Sequence, residues 1–376
     1  MQRVLCSILF LVCLTALGNF FVVAQENPSD RLFKICVNRK HGFIDQTGKV
    51  VIEPKFDGVD DFSEGLAKIY MVGKYSTGYI DRTGEIVIQP QFDIGSDFYE
   101  GFAWVGFDPE KTTFKIGSSS QGTHSFNYNI GFIDKAGKFI TETIFKYAGD
   151  FSEGLAFVKT KENKYGFIDK TGKFAIKPKF DWASDFSEGL ALVLTNNKYG
   201  FIDKSGNFVI EPQFTSAEDF SEGLAVVKIG GQLRQPNYMG HITTTIADSN
   251  YIYIDKTGKI ILRIKAEEAH SFSDGLARFE MYGDYRHGFI DRSGKTVIQP
   301  KFSGSSDFSD GLASVILEDG GFGWINKTGE IILKSAFPYA DNFKNGLARV
   351  ADDIQLYNAG YGYIDKTGKL IWEPTK

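Results

Sequence analysis

Apolar and polar residues alternate along most of the chain in short runs broken by turns. Phe174, Ile176, Pro178 and Phe180 fall on one side of such a run, and Lys173, Ala175, Lys177 and Lys179 on the other. Val50, Ile52, Pro54 and Phe56, set against Lys49, Val51, Glu53 and Lys55, repeat the arrangement. A period of two with one polar side predicts a half-buried strand. Before each run stands a short apolar strand, Gly166-Phe167-Ile168-Asp169 in one copy, and after it a third that reads Gly-Leu-Ala-x-apolar, as in Gly189 to Val193. The x position holds Lys68, Trp104, Phe157, Leu192, Val226, Arg278, Ser314 or Arg349, which predicts that it faces outward, while Ala67 and its equivalents imply a contact with no spare volume.

These strands belong to an internal repeat. "KYGFIDKTGKFAIKPKFDWASDFSEGLALV", residues 164–193, returns as "KYGFIDKSGNFVIEPQFTSAEDFSEGLAVV", residues 198–227. Repeat starts fall near residues 42, 78, 131, 166, 200, 252, 288, 323 and 362, spaced by 34–39 residues except where two insertions, 106–129 and 228–250, widen the step. The turn Asp169-Lys170-Thr171-Gly172 reads as a type I turn plus bulge, with Gly172 supplying the left-handed residue. Pro54, Pro90, Pro178, Pro212, Pro300 and Pro374 remove ladder donors and predict a strand end or sheet edge. In "DFSEGLALV", Phe186 and Gly189 predict a corner where a ring anchors the chain and glycine allows close backbone approach.

The expected fold class is therefore all-β: a tandem array of about nine three-stranded antiparallel units, each unable to bury its apolar side without a neighbour. The short unit favours an open superhelical solenoid. The alternative is a closed, propeller-like ring, because "RLFKICV" at 31–37 resembles a third strand and "GYIDKTGKLIWEP" at the end supplies the first two, so a ninth unit is split between the termini.

Residues 1–24 carry one early cation, Arg3, then a long apolar stretch to Val23 and a small-residue site near Ala24, the layout of a secretory signal peptide. A short linker, 25–30, precedes a repeat domain over 31–376. The expected destination is secreted, periplasmic or cell-surface, with membrane attachment only if the signal segment stays uncleaved. Cys6 and Cys13 lie in that segment, leaving Cys36 alone and no internal disulfide.

The unit "YGFIDKTGK…P.FD…..FSEGLA.V" resembles the bacterial WG repeat, a short β-rich module found in tandem in many exported and multidomain proteins. The resemblance covers nearly all of 31–376, although Trp-Gly is never spelled: Tyr165, Tyr199 and Tyr361 stand at the Trp position in three copies, and His41 and His287 in two. It implies an interaction module and transfers no active site.

Charge and candidate chemistry narrow the reading further. A net charge of −5 offers no basic surplus for a phosphate backbone, so nucleic acid is not an expected partner. Asp45, Asp61, Glu64 and their counterparts could form a Ca²⁺ ladder, but turn capping explains their spacing without a metal. His41, His124, His241, His270 and His287 lack zinc spacing, and no metal or cofactor is expected. Glu267, Glu268, Asp352 and Asp353 lie outside the repeat pattern and read as surface charge, so no catalytic residue is expected. The two insertions map to the same connection three repeats apart. Their Phe114, Phe126, Tyr128, Arg234, Tyr238 and His241 are the binding candidates, suited to stacking on sugars or gripping a peptide. The expected function is a non-catalytic, exported scaffold that binds a protein or a cell-envelope glycan. A purely structural spacer and an envelope hydrolase are the alternatives.

Overall fold

The computed structural model describes residues 31–71, 76–108, 128–142, 144–229, 250–352 and 360–373. All regular structure there is β: nine antiparallel sheets, six of four strands and three of three, with consecutive strands adjacent in each. The sheets stand as blades of a closed ring. Blade 2 is typical, with strands Gly58–Ser63, Leu66–Met71, Ser76–Asp81 and Ile86–Phe92 in that order across the sheet. Blade 5 repeats it with Trp182–Ser187, Leu190–Thr195, Lys198–Ile202 and Phe208–Phe214.

Two expectations need correction. The open solenoid gives way to the ring, and the three-stranded unit to a four-stranded blade whose boundaries are offset from the sequence repeat. A blade starts at the corner segment and ends at the proline-containing strand, so every sequence repeat straddles two blades. The split ninth repeat obeys the same rule: Tyr361–Asp365 and Leu370–Trp372 complete blade 9, while Phe33–Val37 opens blade 1. Among the described residues no strand is exchanged at the seam: Phe33–Val37 and Leu370–Trp372 each pair within their own sheet. Closure comes from side-chain packing and hydrogen bonds rather than strand pairing, as it does between the other blades.

The local chemistry follows the residues. Asp169 closes its turn by accepting the Thr171 and Lys173 amides at 2.8 and 3.2 Å and the Thr171 hydroxyl at 2.6 Å, and Gly172 sits at φ 79°. Proline-bearing strands lie at the sheet edge, where the missing donor breaks no ladder. Close backbone approach falls on the glycine of the third strand: a Cβ on Gly166 would lie 2.6 Å from the Ile176 carbonyl oxygen and 2.7 Å from the Pro178 nitrogen. Gly189 does not serve that purpose, since an added Cβ would meet nothing within 4 Å. Its φ of 91°, after Glu188 at 54°, makes Glu188-Gly189 the left-handed centre of a tight hairpin between the first and second strands.

A glutamate in that conformation is costly, by roughly 1–2 kcal/mol. Its carboxylate offsets this by reaching the next blade. Glu188 accepts the Gly223 amide at 2.9 Å and pairs with Lys256 at 3.0 Å. Glu64 does the same to Gly101, Glu153 to Gly189, Glu222 to Gly275, Asp274 to Gly311 and Asp310 to Gly346. Ser187 donates across the same boundary to the Phe220 carbonyl at 2.7 Å. Blade 9 instead carries Asn345 at φ 58°, a residue that tolerates this conformation better, because the described part of blade 1 has no hairpin to hold.

Aromatic pairs fill the boundaries between blades. Phe167 meets Phe186 at 5.0 Å between ring centres, Phe201 meets Phe220 at 4.8 Å, and Trp324 meets Phe343 at 5.1 Å. Phe186 is cross-strand from Ala191, whose small side chain leaves room for the ring. The seam solves the same problem differently. Blade 1 lacks a first strand among the described residues, and Phe33 occupies the register position of Ala67 and Ala191. Phe33 packs edge-on against Tyr363 at 5.6 Å, and the Tyr363 hydroxyl donates to the Lys34 carbonyl at 2.9 Å. Tyr79, Tyr253 and Trp324 make the equivalent bond to the next blade's first strand, at Ser96, His270 and Asp341.

Candidate functional site

The x position of the second strand was expected to face outward; in four of the eight copies it is buried instead, while Trp104, Arg278, Ser314 and Arg349 are half-exposed. Leu192 and Val226 are 2% exposed, Phe157 8% and Lys68 9%. Carboxylates of the corner segments come together around the ring. Asp150 lies near Asp97 and Asp185, and Asp185 near Asp219. Burial, added to by this mutual repulsion, pushes Asp185 up to about 7 from an ordinary 3.8, and one of its oxygens is buried without a hydrogen-bond partner. Asp97, Asp150 and Asp219 are raised in the same direction, chiefly by burial.

These inner positions are not uniform around the ring. Blades 3 to 6 combine the four aspartates with apolar x residues, Trp104, Phe157, Leu192 and Val226. The cations lie on the remaining arc: Lys34 on blade 1, Lys68 on blade 2, Arg278 on blade 7 and Arg349 on blade 9. Lys68 pairs with Asp60 at 2.8 Å, Arg278 with Asp307 at 3.1 Å and Arg349 with Asp341 at 2.7 Å.

Beside the seam lies a half-open cavity of about 660 Å³, which Asp57, Gly58, Val59 and Asp60 also line. Lys34, Arg39 and His41 line it from blade 1, Tyr70 from blade 2, and Arg349 and Tyr361 from blade 9. Burial, helped by Lys34, holds His41 below the usual imidazole range, so it is neutral at pH 7. The Arg349 guanidinium stands over the Tyr361 ring at 5.1 Å. Tyr361 is 5% exposed, and its hydroxyl and the His41 Nδ1 are buried without hydrogen-bond partners.

Of the binding candidates from the insertions, Phe114, Phe126, Arg234, Tyr238 and His241 lie outside the described residues. Tyr128 is half-buried and packs against the cluster around Phe132, Phe145 and Phe151. Phe186, Ala191, Gly172 and Gly189 all serve the architecture. Glu268 belongs to the first strand of blade 7, 3.7 Å from the His270 ring, and Glu267 precedes it with its amide bonded to Glu280. Asp352 follows the second strand of blade 9; Asp353 is outside the described residues. His41, His270 and His287 stand on blades 1, 7 and 7, while His124 and His241 are outside the described residues. The seam residues were missed because they deviate from the consensus singly. Two signals could have found them: Phe33 in an alanine position, and Asn345 closing a series of acids.

The profile of the WG containing repeat family matches residues 42–75, 78–108, 130–165, 165–199, 199–232, 253–285, 288–320 and 322–353, well over half the chain. Among solved structures, one described as a eukaryotic initiation factor superposes with a TM-score of 0.58 at 12% identity, covering 92% of this chain and 97% of its own. BamB from Moraxella catarrhalis gives 0.43 at 11% identity, covering 86% and 93%. The first likeness concerns the fold alone. No curated protein sequence matches.

Proposed function

This chain belongs to the WG repeat family, and we propose that it works as an exported, non-catalytic scaffold that binds a protein or a cell-envelope glycan. One observation carries the reading: the recurring polar groups are engaged in building the ring. The turn aspartates cap their own hairpins, and the hairpin acids and serines bind the next blade. What differs from blade to blade is the inner arc, where carboxylates stand beside apolar x residues on one side and beside ion-paired cations on the other. A two-signed surface of this kind favours a protein partner, which can present both charges, over a uniform polyanion. Export rests on the signal-like start of the sequence.

The test is capture of envelope fractions on the immobilised, processed protein, with parallel fractions treated with protease or stripped of glycan. Saturable retention lost in one arm identifies the partner class, and no saturable retention in either supports the spacer instead. Turnover of a chromogenic glycoside or peptide panel, abolished by Glu267→Gln or Asp353→Asn, would replace the scaffold with a hydrolase.

A further inference from the structure

We propose that the cavity at the seam between blades 9 and 1 is a binding site for a small ligand that carries one oxyanion, a carboxylate or a phosphate, on a ring-like body. The proposal goes beyond the scaffold reading and does not depend on it, since a small ligand could occupy the seam whether or not the ring also binds a macromolecule.

The location is built into the ring. At the boundaries into blades 5 and 6 the corner segment of the following blade supplies the aromatic ring pressed on the preceding blade, and blade 8, whose sheet also begins at its second strand, supplies it from an irregular segment through Phe308 on Phe289. Blade 1 begins at its second strand among the described residues, and Phe33 restores the aromatic contact without restoring the strand. The contact is sealed while a cavity of about 660 Å³ persists beside it, within the size range of ligand pockets.

Charge selects the ligand. Lys34, Arg39 and Arg349 contribute cations to the lining, and Asp57 and Asp60 carboxylates. Both carboxylates are engaged by lysines outside the lining: Asp57 with Lys40 at 2.5 Å, and Asp60 with Lys68 at 2.8 Å while also accepting the Tyr70 hydroxyl at 2.8 Å. Asp341 fixes Arg349 through Nε and Nη2, orienting the guanidinium rather than leaving it to wander. Among the described residues the ion-pair contact of Lys34 is a loose one with Asp61, at 3.9 Å. Arg39 makes no ion pair among the described residues. An oxyanion entering here meets Lys34 and Arg39, neither of which holds a close carboxylate among the described residues, and charge-assisted bonds are the strong ones. Tyr70, 38% exposed, offers ring surface for the ligand body, while Tyr361 and His41 back the site with the Tyr361 hydroxyl and His41 Nδ1 buried.

The test is calorimetric titration of the full-length protein with benzoate and phenyl phosphate, with benzyl alcohol and benzylamine as neutral and cationic controls. Saturable binding of either anion, absent for both controls, supports the site, and the better anion identifies the source chemistry. Lys34→Met and Arg39→Asn, the latter tolerated at the positive φ of 61° that Arg39 adopts, should each weaken that binding by at least about tenfold without moving the melting midpoint. Three results overturn the proposal: no saturable binding of either anion, benzyl alcohol binding as tightly as benzoate, or anion binding unchanged in both cation variants. The envelope-capture experiment reads a different event, so either proposal can fail while the other stands.

Discussion

Replacing Asp185 with Asn should stabilise the ring, and more so at higher pH. The carboxyl is held at about 7 by burial and by the neighbouring Asp150 and Asp219, against 3.8 ordinarily. Between those values the folded protein keeps a proton that the unfolded chain has released, so folding is favoured by acid and stability falls as pH rises from about 4 to about 7. A displacement of this size corresponds to roughly 4 kcal/mol if fully expressed. Asp185 is only partly buried, and solvent screening reduces the expected penalty above pH 7 to about 1–2 kcal/mol. Asn keeps the shape and removes the charge. Urea denaturation at half-unit steps from pH 4 to pH 8 should show Asp185→Asn more stable than the parent by that amount at pH 8, the gap closing toward pH 4. The turn acids act in a separate window. Thr47, Thr83 and Thr171 hold Asp45, Asp81 and Asp169 below the ordinary value, so their contribution is present above it and is lost only at lower pH. A variant no more stable than the parent at pH 8, or a gap independent of pH, would refute the assignment of Asp185 as a buried, repelled carboxylate.

Four further substitutions probe the ring itself. Ala191→Phe places a ring opposite Phe186, where no volume remains, and should cost about 1–3 kcal/mol, read as a lower denaturation midpoint. Glu188→Ala removes the acceptor of the Gly223 amide and the partner of Lys256 and should cost about 1–2 kcal/mol, whereas Asn345→Ala in the same hairpin position of blade 9 should cost less, since no inter-blade bond is lost. Phe33→Ala empties the aromatic contact at the seam and should cost about 3–5 kcal/mol, with proteolysis accelerating first at the terminal blades; equal cleavage across all blades would contradict the seam as the point of closure.

The sequence by itself determined the strands, turns and count of modules. Each rests on contacts within a few residues: the alternation around Ile176, the acceptor at Asp169 and the glycine at Gly172 act locally and leave a local trace. The wrong choice between an open array and a ring arose because curvature is a sum of small rotations between blades, and no single residue encodes a sum. Placing blade boundaries failed for a related reason, since a repeat read from any starting point looks the same until hydrogen bonding selects which strands share a sheet. The buried x residues were misjudged because period two assigns one face to solvent, yet a blade in a ring packs neighbours on both faces. The candidate site divides the same way. The insertions were legible as interruptions, but the seam cavity unites positions 34 to 70 with 349 and 361, more than 270 residues apart in the chain, and only closure of the ring brings them together. Phe33 and Asn345 carried the information all along; it became readable once the blade that each one borders was known.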